Sequence, residues 1–321
     1  MNTERIIIDT KDSRHALSAI SGREESAHSF VQNVHISGNN EMNDYIAYQG
    51  TKIPLHTHDK GYELFYVQEG ELTAVLGGYR AKVRPGDMLL IPPAMPHGFE
   101  YGQQTVWWEV MNGMFLWDRV WSLDRIFENC PEKYEDQTFR EQYEKRKGQV
   151  SYPEFPIEGV TEVNAEKLPG FSGRGMCYKT YSFSGIQCRL KYPKWELAGK
   201  KEIWEFELDE QMSVDFGHYV GHELFAVTQG SVRVEVQGRE PMTARKGELI
   251  NIPNFTSHKL TALEAKTTLL DFNVQYNLML LLDEIVFTKK KNPQRIDPVF
   301  LEELLDKHQC PYRAITGIFT R

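Results

Sequence analysis

His56-Thr57-His58, Glu63 and His97 are the residues of this 321-residue chain whose types and spacing could do chemistry together. Successive side chains of a β-strand point to opposite faces, so two histidines separated by one residue share a face. Glu63 comes from the next strand, and His97 from a later hairpin that can close over the same space. Imidazole and carboxylate are ligands for divalent ions such as Fe, Mn, Co, Ni or Zn. Three imidazoles and one carboxylate converging in a barrel would hold one such ion and leave its other positions to water or substrate. A single strand histidine is more often a buried polar residue satisfied by a neighbour. Four such groups are hard to explain that way, since each left unpaired would cost about 1–3 kcal/mol.

The chain then repeats itself. Gly61-Tyr-Glu-Leu-Phe-Tyr-Val-Gln-Glu-Gly70 and Gly221-His-Glu-Leu-Phe-Ala-Val-Thr-Gln-Gly230 agree at six of ten positions, at an offset of 160 residues. Arg84-Pro-Gly-Asp-Met-Leu-Leu-Ile-Pro-Pro93 corresponds to Arg245-Lys-Gly-Glu-Leu-Ile-Asn-Ile-Pro-Asn254, and His97 to His258, both at offset 161. A repeat of this length means two copies of a whole domain.

These residues resemble the two conserved motifs of the cupins: HxH, a glutamate and a glycine, then a second motif read here as Gly86, Pro92, Ala94 and His97. Ala94 stands where the family has glycine. The resemblance covers about residues 30–111 and 180–273 and implies a bicupin: two tandem double-stranded β-helix, or jelly-roll, barrels, an all-β core with peripheral helices. It implies one divalent metal per chain inside the first barrel, held by His56, His58, Glu63 and His97. The second copy keeps Glu223, Gly230, Gly247, Pro253 and His258, and His218 matches His58, but Phe216 replaces the partner of His56. His218, Glu223 and His258 could form a second, two-histidine and one-carboxylate site, or the barrel could be empty. His222 is expected on the opposite face from Glu223. Because a phenyl ring at Phe216 fills space a metal or its water needs, the first barrel is expected to carry the chemistry.

Glu109 and Asp271 fall at matching places on the closing strand of each barrel. Either could be an acid, a base or a partner of a ligand histidine, and the plainer expectation is that they face solvent. Tyr62, beside Glu63, could line a pocket mouth. Glu109 and Tyr62 are thus the two weak catalytic candidates. Bicupin architecture resembles quercetin-type dioxygenases and oxalate decarboxylases, which implies a metal-dependent enzyme on a small organic molecule. Oxidoreductase or dioxygenase chemistry is expected first, lyase or isomerase next. The first copy is also similar to AraC-type effector domains. Only about 48 residues follow Asn273, too few for the paired helix-turn-helix units of those regulators. The alternative is therefore a non-catalytic metabolite- or sugar-binding protein without a DNA-binding domain.

The elements that must position these residues are short strands with turn punctuation. Val232, Val234 and Val236 alternate with Arg233 and Glu235, the period of a half-buried strand. Each copy ends in helix: Phe115, Leu116, Val120, Leu123 and Phe127 recur at helical spacing, with a charged stretch to about Lys147. Leu278, Leu281, Leu282, Ile285 and Val286 do likewise. The last helix is expected to open with Asp297 as N-cap and Pro298 at N1. Residues 150–176, rich in proline and glycine, read as the connection into the second barrel. The expected domains are 1–147 and 148–321.

Composition bounds the partners. With 37 Lys and Arg against 45 Asp and Glu, the formal charge is −8, which disfavours nucleic acid as a principal partner. No stretch approaches the ~18 apolar residues of a membrane span, and the apolar start at Ile6–Ile8 is too short for a signal peptide. Four widely spaced cysteines form no CxxC pair, so reduced thiols in a cytoplasmic protein are expected. Amphipathic helices after each barrel suggest a homodimer.

Overall fold

The structure is a computed structural model that describes residues 6–9, 15–16, 29–37, 40–113, 125–147, 149–151, 159–217, 221–315 and 318–320. The chain divides into two compact units: Thr10–Gly175, and Met1–Asp9 together with Met176–Arg321. Each unit is a pair of facing sheets. In the first, a six-stranded sheet carries Lys52–His58, His97–Tyr101, Leu72–Leu76 and Tyr79–Val83. Its seven-stranded partner carries Met88–Ile91, Tyr62–Glu69, Thr105–Asn112 and Asn40–Ala47. The second unit repeats this order with Ser213–Phe216, His258–Ala262, Ser231–Val236 and Met242–Arg245 facing Glu248–Ile252, Glu223–Gln229, Thr267–Val274 and Glu202–Leu208.

The strands follow from their residues. Ser231–Val236 buries its three valines and leaves Arg233 exposed, as the alternation predicts. The inward side chains of each sheet pair form one core. In the first barrel Phe65, Val67, Phe99, Tyr101 and Trp107 meet between the sheets. In the second, Trp204, Phe216, Phe225, Val227 and Leu269 do so. The α-helix Leu278–Lys291 buries Leu278, Leu281, Leu282 and Ile285, while Val286, counted with that stripe from sequence, is exposed. Phe300 N donates to Asp297 Oδ1 at 2.9 Å, the cap expected for the α-helix Pro298–Lys307. Of the earlier helical stripe, Phe115 to Leu123 lies outside the described residues. The helix seen at 125–129 and those at Pro131–Glu135 and Gln137–Lys147 carry the charged stretch.

The boundary between units lies at Gly175 and not after residue 147. The segment read as a connection into the second barrel belongs to the first. Gln149–Ser151 adds to the Lys52–His58 edge, Thr161–Glu162 pairs in parallel with Tyr79–Val83, and Phe171–Ser172 pairs with Met88–Ile91. The N-terminal strand Ile7–Asp9 belongs to the second unit, where it pairs with Glu248–Ile252. The stretch that precedes each repeat in sequence therefore completes the sheet of the other.

Candidate metal centre

In the first barrel His97 lies directly across from His56 in the antiparallel pair of His97–Tyr101 with Lys52–His58. Glu63 reaches the same space from the facing sheet. The pleat puts His58 on the face of His56, as the one-residue spacing requires. The ring centroids of His56 and His97 are 4.2 Å apart, those of His56 and His58 4.9 Å, and those of His58 and His97 5.3 Å. One nitrogen from each ring lies within 4.8 Å of the others. Ala94, which replaces the motif glycine, takes a positive φ of 61°, so this turn keeps a conformation that favours glycine at the cost of some strain.

The tautomers are set by the backbone. The Nδ1–H of His56 donates to Pro54 O and that of His97 to Met95 O, each at 2.8 Å. A ring that donates from Nδ1 presents the lone pair of Nε2, which is the form that binds a metal. Glu63 Oε1 lies 2.9 Å from His58 Nε2 and Oε2 lies 3.1 Å from His97 Nε2. Neither contact has the alignment of a hydrogen bond, and both nitrogens are buried with no hydrogen-bond partner among the described residues. A ring lone pair held against a carboxylate oxygen is adverse unless a proton or a metal cation lies between them. The four groups therefore fit a divalent ion.

The groups of the site do not all shift the same way. Burial, and next the His97 ring, push the His56 imidazole down to about 3, so it is neutral at neutral pH. Burial alone would raise the Glu63 carboxyl, but the His58 imidazole and then His97 outweigh it and hold the group below the ordinary carboxylate range. Burial pushes His97 down and the Glu63 carboxylate beside it more than restores it.

The other sequence candidates fall elsewhere. Tyr62 alternates with Glu63 and points to the opposite, outer side of its strand, where it is buried. Glu109 does not face solvent. It lies across from Phe65 and Asn43 on the inner face shared with Trp107, and Asn43 Nδ2 donates to its Oε2 at 3.1 Å. Asp271 is likewise buried, across from Phe225 and Trp204. The expectation of solvent exposure failed because these strands are apolar on both faces, so the alternation did not fix which face each carboxylate takes. Asn43, which sequence reading missed, has no motif signal and is found only through its register opposite Glu109.

The second barrel is built differently at the same place. His218 lies outside the described residues. Phe216 stacks on His258 with centroids 4.4 Å apart and planes 12° from parallel, and Tyr312 packs against Phe216 at 4.5 Å. Burial pushes the His258 imidazole down to about 4. Glu223 lies two residues along the strand from Phe225, which is across from Asp271, and both Glu223 oxygens and Asp271 Oδ2 are buried with no hydrogen-bond partner among the described residues. Burial, and then the Asp271 carboxylate, raise Glu223 well above its ordinary range, while burial brings Asp271 to about 7. In the first barrel Asn43 satisfies Glu109. Its counterpart here is Trp204, whose Nε1 donates to Glu202 at 2.7 Å, so Asp271 lacks that amide. Among the described residues, no group of three metal-ligand side chains converges in this barrel. His222, on the opposite face as expected, contacts Asn254 at 3.1 Å.

Comparison with known proteins follows this geometry. The cupin domain family matches residues 45–107. A stretch of 51 residues is 37% identical to an uncharacterized protein of Methanocaldococcus jannaschii, covering 16% of this chain and 41% of that protein. The chain thus spans about two-fifths of the length of that relative. Among solved structures, Bacillus subtilis oxalate decarboxylase is similar over 93% of this chain and 86% of its own, with a TM-score of 0.53 at 14% identity. The Lactobacillus farciminis oxalate decarboxylase, in a formate complex, is similar over 94% of this chain and 96% of its own, with a TM-score of 0.53 at 15% identity. No helix among the described residues is long and apolar enough to cross a membrane. Residues 45–107 thus match the cupin domain family, and the chain as a whole shares the fold of these solved structures.

Proposed function

We propose that the protein is a metal-dependent enzyme whose first barrel acts on a small organic molecule that grips the metal through oxygen. The observation that carries this reading is the pair of orphaned Nε2 atoms of His58 and His97 held against Glu63 inside a ring of three imidazoles. His56, His58, Glu63 and His97 would hold one ion, of Fe, Mn, Ni, Co or Zn. Such an ion supplies Lewis acidity, and for Fe, Mn or Co also redox chemistry, to an oxygen ligand beside it. The carbonyls of Pro54 and Met95 hold two rings in the ligating tautomer. Oxidoreductase or dioxygenase chemistry suits this set. The likeness in fold to oxalate decarboxylases supports lyase chemistry, here decarboxylation, as the second class. The second barrel is assigned structure or binding, on the strength of Phe216 stacked where a ligand would stand.

The test is elemental analysis of protein purified without a histidine tag, then turnover of candidate substrates by the same preparation and by His56→Ala. About one equivalent of metal, lost with activity in His56→Ala, supports the reading. Protein that contains no metal and regains no stoichiometric metal on reconstitution overturns it and leaves a metabolite-binding protein.

A further inference from the structure

Beneath the ligand quartet the inner face of the first barrel carries polar groups that ordinary packing does not explain. Glu109 sits one inward position deeper than Met111, the residue across from Glu63. Two residues of strand span about 7 Å, so Glu109 lies roughly the length of a four-carbon chain below the metal layer. Asn43 bridges the two levels, with Nδ2 3.1 Å from Glu109 Oε2 and 4.0 Å from Met111 Sδ. From the facing sheet Tyr101 stacks on Trp107 at 4.9 Å, and its hydroxyl feels the Glu109 carboxylate. The Tyr101 hydroxyl and Trp107 Nε1 are both buried and have no hydrogen-bond partner among the described residues. Buried polar atoms left unmatched in a native core call for a ligand or water. An acceptor carboxylate next to an unmatched hydroxyl matches a group that both donates and accepts.

We propose that Glu109 and Tyr101, with Asn43 orienting the carboxylate, form a specificity site for the far hydroxyl of a short hydroxy acid whose 2-hydroxycarboxylate end grips the metal. The proposal rests on the metal reading of the first barrel. An alcohol donates to Glu109 and accepts from Tyr101. A second carboxylate in the same place would meet Glu109 with like charge in a desolvated setting, so the site selects against dicarboxylic acids. That would separate this protein from its structural neighbours named for oxalate.

The test uses the full chain loaded with Co(II), whose visible spectrum reports ligands entering the metal shell. Three probes share the chelating end: glycolate, 2,4-dihydroxybutanoate and malate, the last two near-isosteric with a far hydroxyl or a far carboxylate. Wild type is expected to bind 2,4-dihydroxybutanoate at least tenfold more tightly than malate. Tyr101→Phe, which keeps the ring stack, should weaken 2,4-dihydroxybutanoate about tenfold. Glu109→Gln should bring the two four-carbon acids to within about threefold. Both variants should keep the Co(II) stoichiometry and hold glycolate within twofold of wild type. Malate binding as tightly as the dihydroxy acid in wild type overturns the proposal, as does an equal loss of glycolate in both variants. Failure of wild type to take up Co(II) overturns the metal reading itself and the specificity site with it.

Discussion

At the scale of single residues, the two barrels differ through a handful of side chains around one common plan. His56 and Phe216 hold equivalent positions, each paired across its strands with the barrel's later histidine, His97 or His258. In one barrel the ring joins the candidate ligand cluster, in the other it is a stacking partner. His58→Ala or Glu63→Ala should reduce bound metal from about one equivalent to near zero, measured by elemental analysis. Retention of full metal content by either would show that the ligand set is wrong. The carboxyl pair of the second barrel gives a pH dependence. Asp271 is raised from 3.8 to about 7 by burial, so the folded state holds a proton that the unfolded chain has released. Stability from this group is fully present below about pH 4 and is lost as pH rises towards 7. Thermal scans should give a lower melting temperature at pH 8 than at pH 5.5, and Asp271→Asn should flatten that difference. A variant with the same slope as wild type would place the proton elsewhere. The convergence of His56, His58, Glu63 and His97 was legible because their spacing is short and strand geometry fixes which residues share a face. Glu109 and Asp271 were not, because Thr105–Asn112 is buried along its whole length and Thr267–Val274 nearly so, and neither has a polar face to set the parity.

At the scale of elements, polar groups at strand and helix ends do much of the positioning. The α-helix Leu278–Lys291 starts against Glu202, whose Oε2 accepts from Met279 N at 3.2 Å and from Trp204 Nε1 at 2.7 Å. Burial raises the Glu202 carboxyl, and these donors are what keep it tolerable in the core. Glu202→Ala leaves both donors unmatched and should lower stability by about 1–3 kcal/mol, read as an earlier midpoint in urea. Asp297→Ala removes the cap on Phe300 N and should cost about 1 kcal/mol. A loss from Asp297→Ala larger than that from Glu202→Ala would contradict this ordering. The capping aspartate was readable from the Asp-Pro pair, whereas the role of Glu202 depends on a helix some 76 residues later (202 to 278) meeting its strand. The reading of residues 150–176 as a connection went wrong for a related reason. Proline and glycine mark where regular structure is interrupted. They say nothing about two-residue strands such as Phe171–Ser172, whose place is set by an open edge at Met88–Ile91.

At the scale of the whole molecule, the repeat accounts for the two barrels, and the exchange of flanking strands accounts for their boundaries. Ile7–Asp9 belongs with Glu248–Ile252, and Asn251 N donates to Ile6 O at 2.7 Å. Deleting residues 1–9 should therefore cost amide-exchange protection at Glu248–Ile252 and leave Met88–Ile91 and bound metal unchanged. Loss at Met88–Ile91 instead would contradict the pairing. Phe287 and Val299 stay exposed on the two C-terminal helices, which suits the homodimer proposed from sequence. Light scattering that gives a mass near 37 kDa at micromolar concentration would rule it out. The central claim is that one barrel holds a metal and the other has given it up. Elemental analysis of wild type, His97→Ala and His258→Ala, purified side by side, tests it most directly. The expected contents are about one, near zero and about one equivalent per chain, and equal losses in the two variants, or two equivalents in wild type, would contradict it.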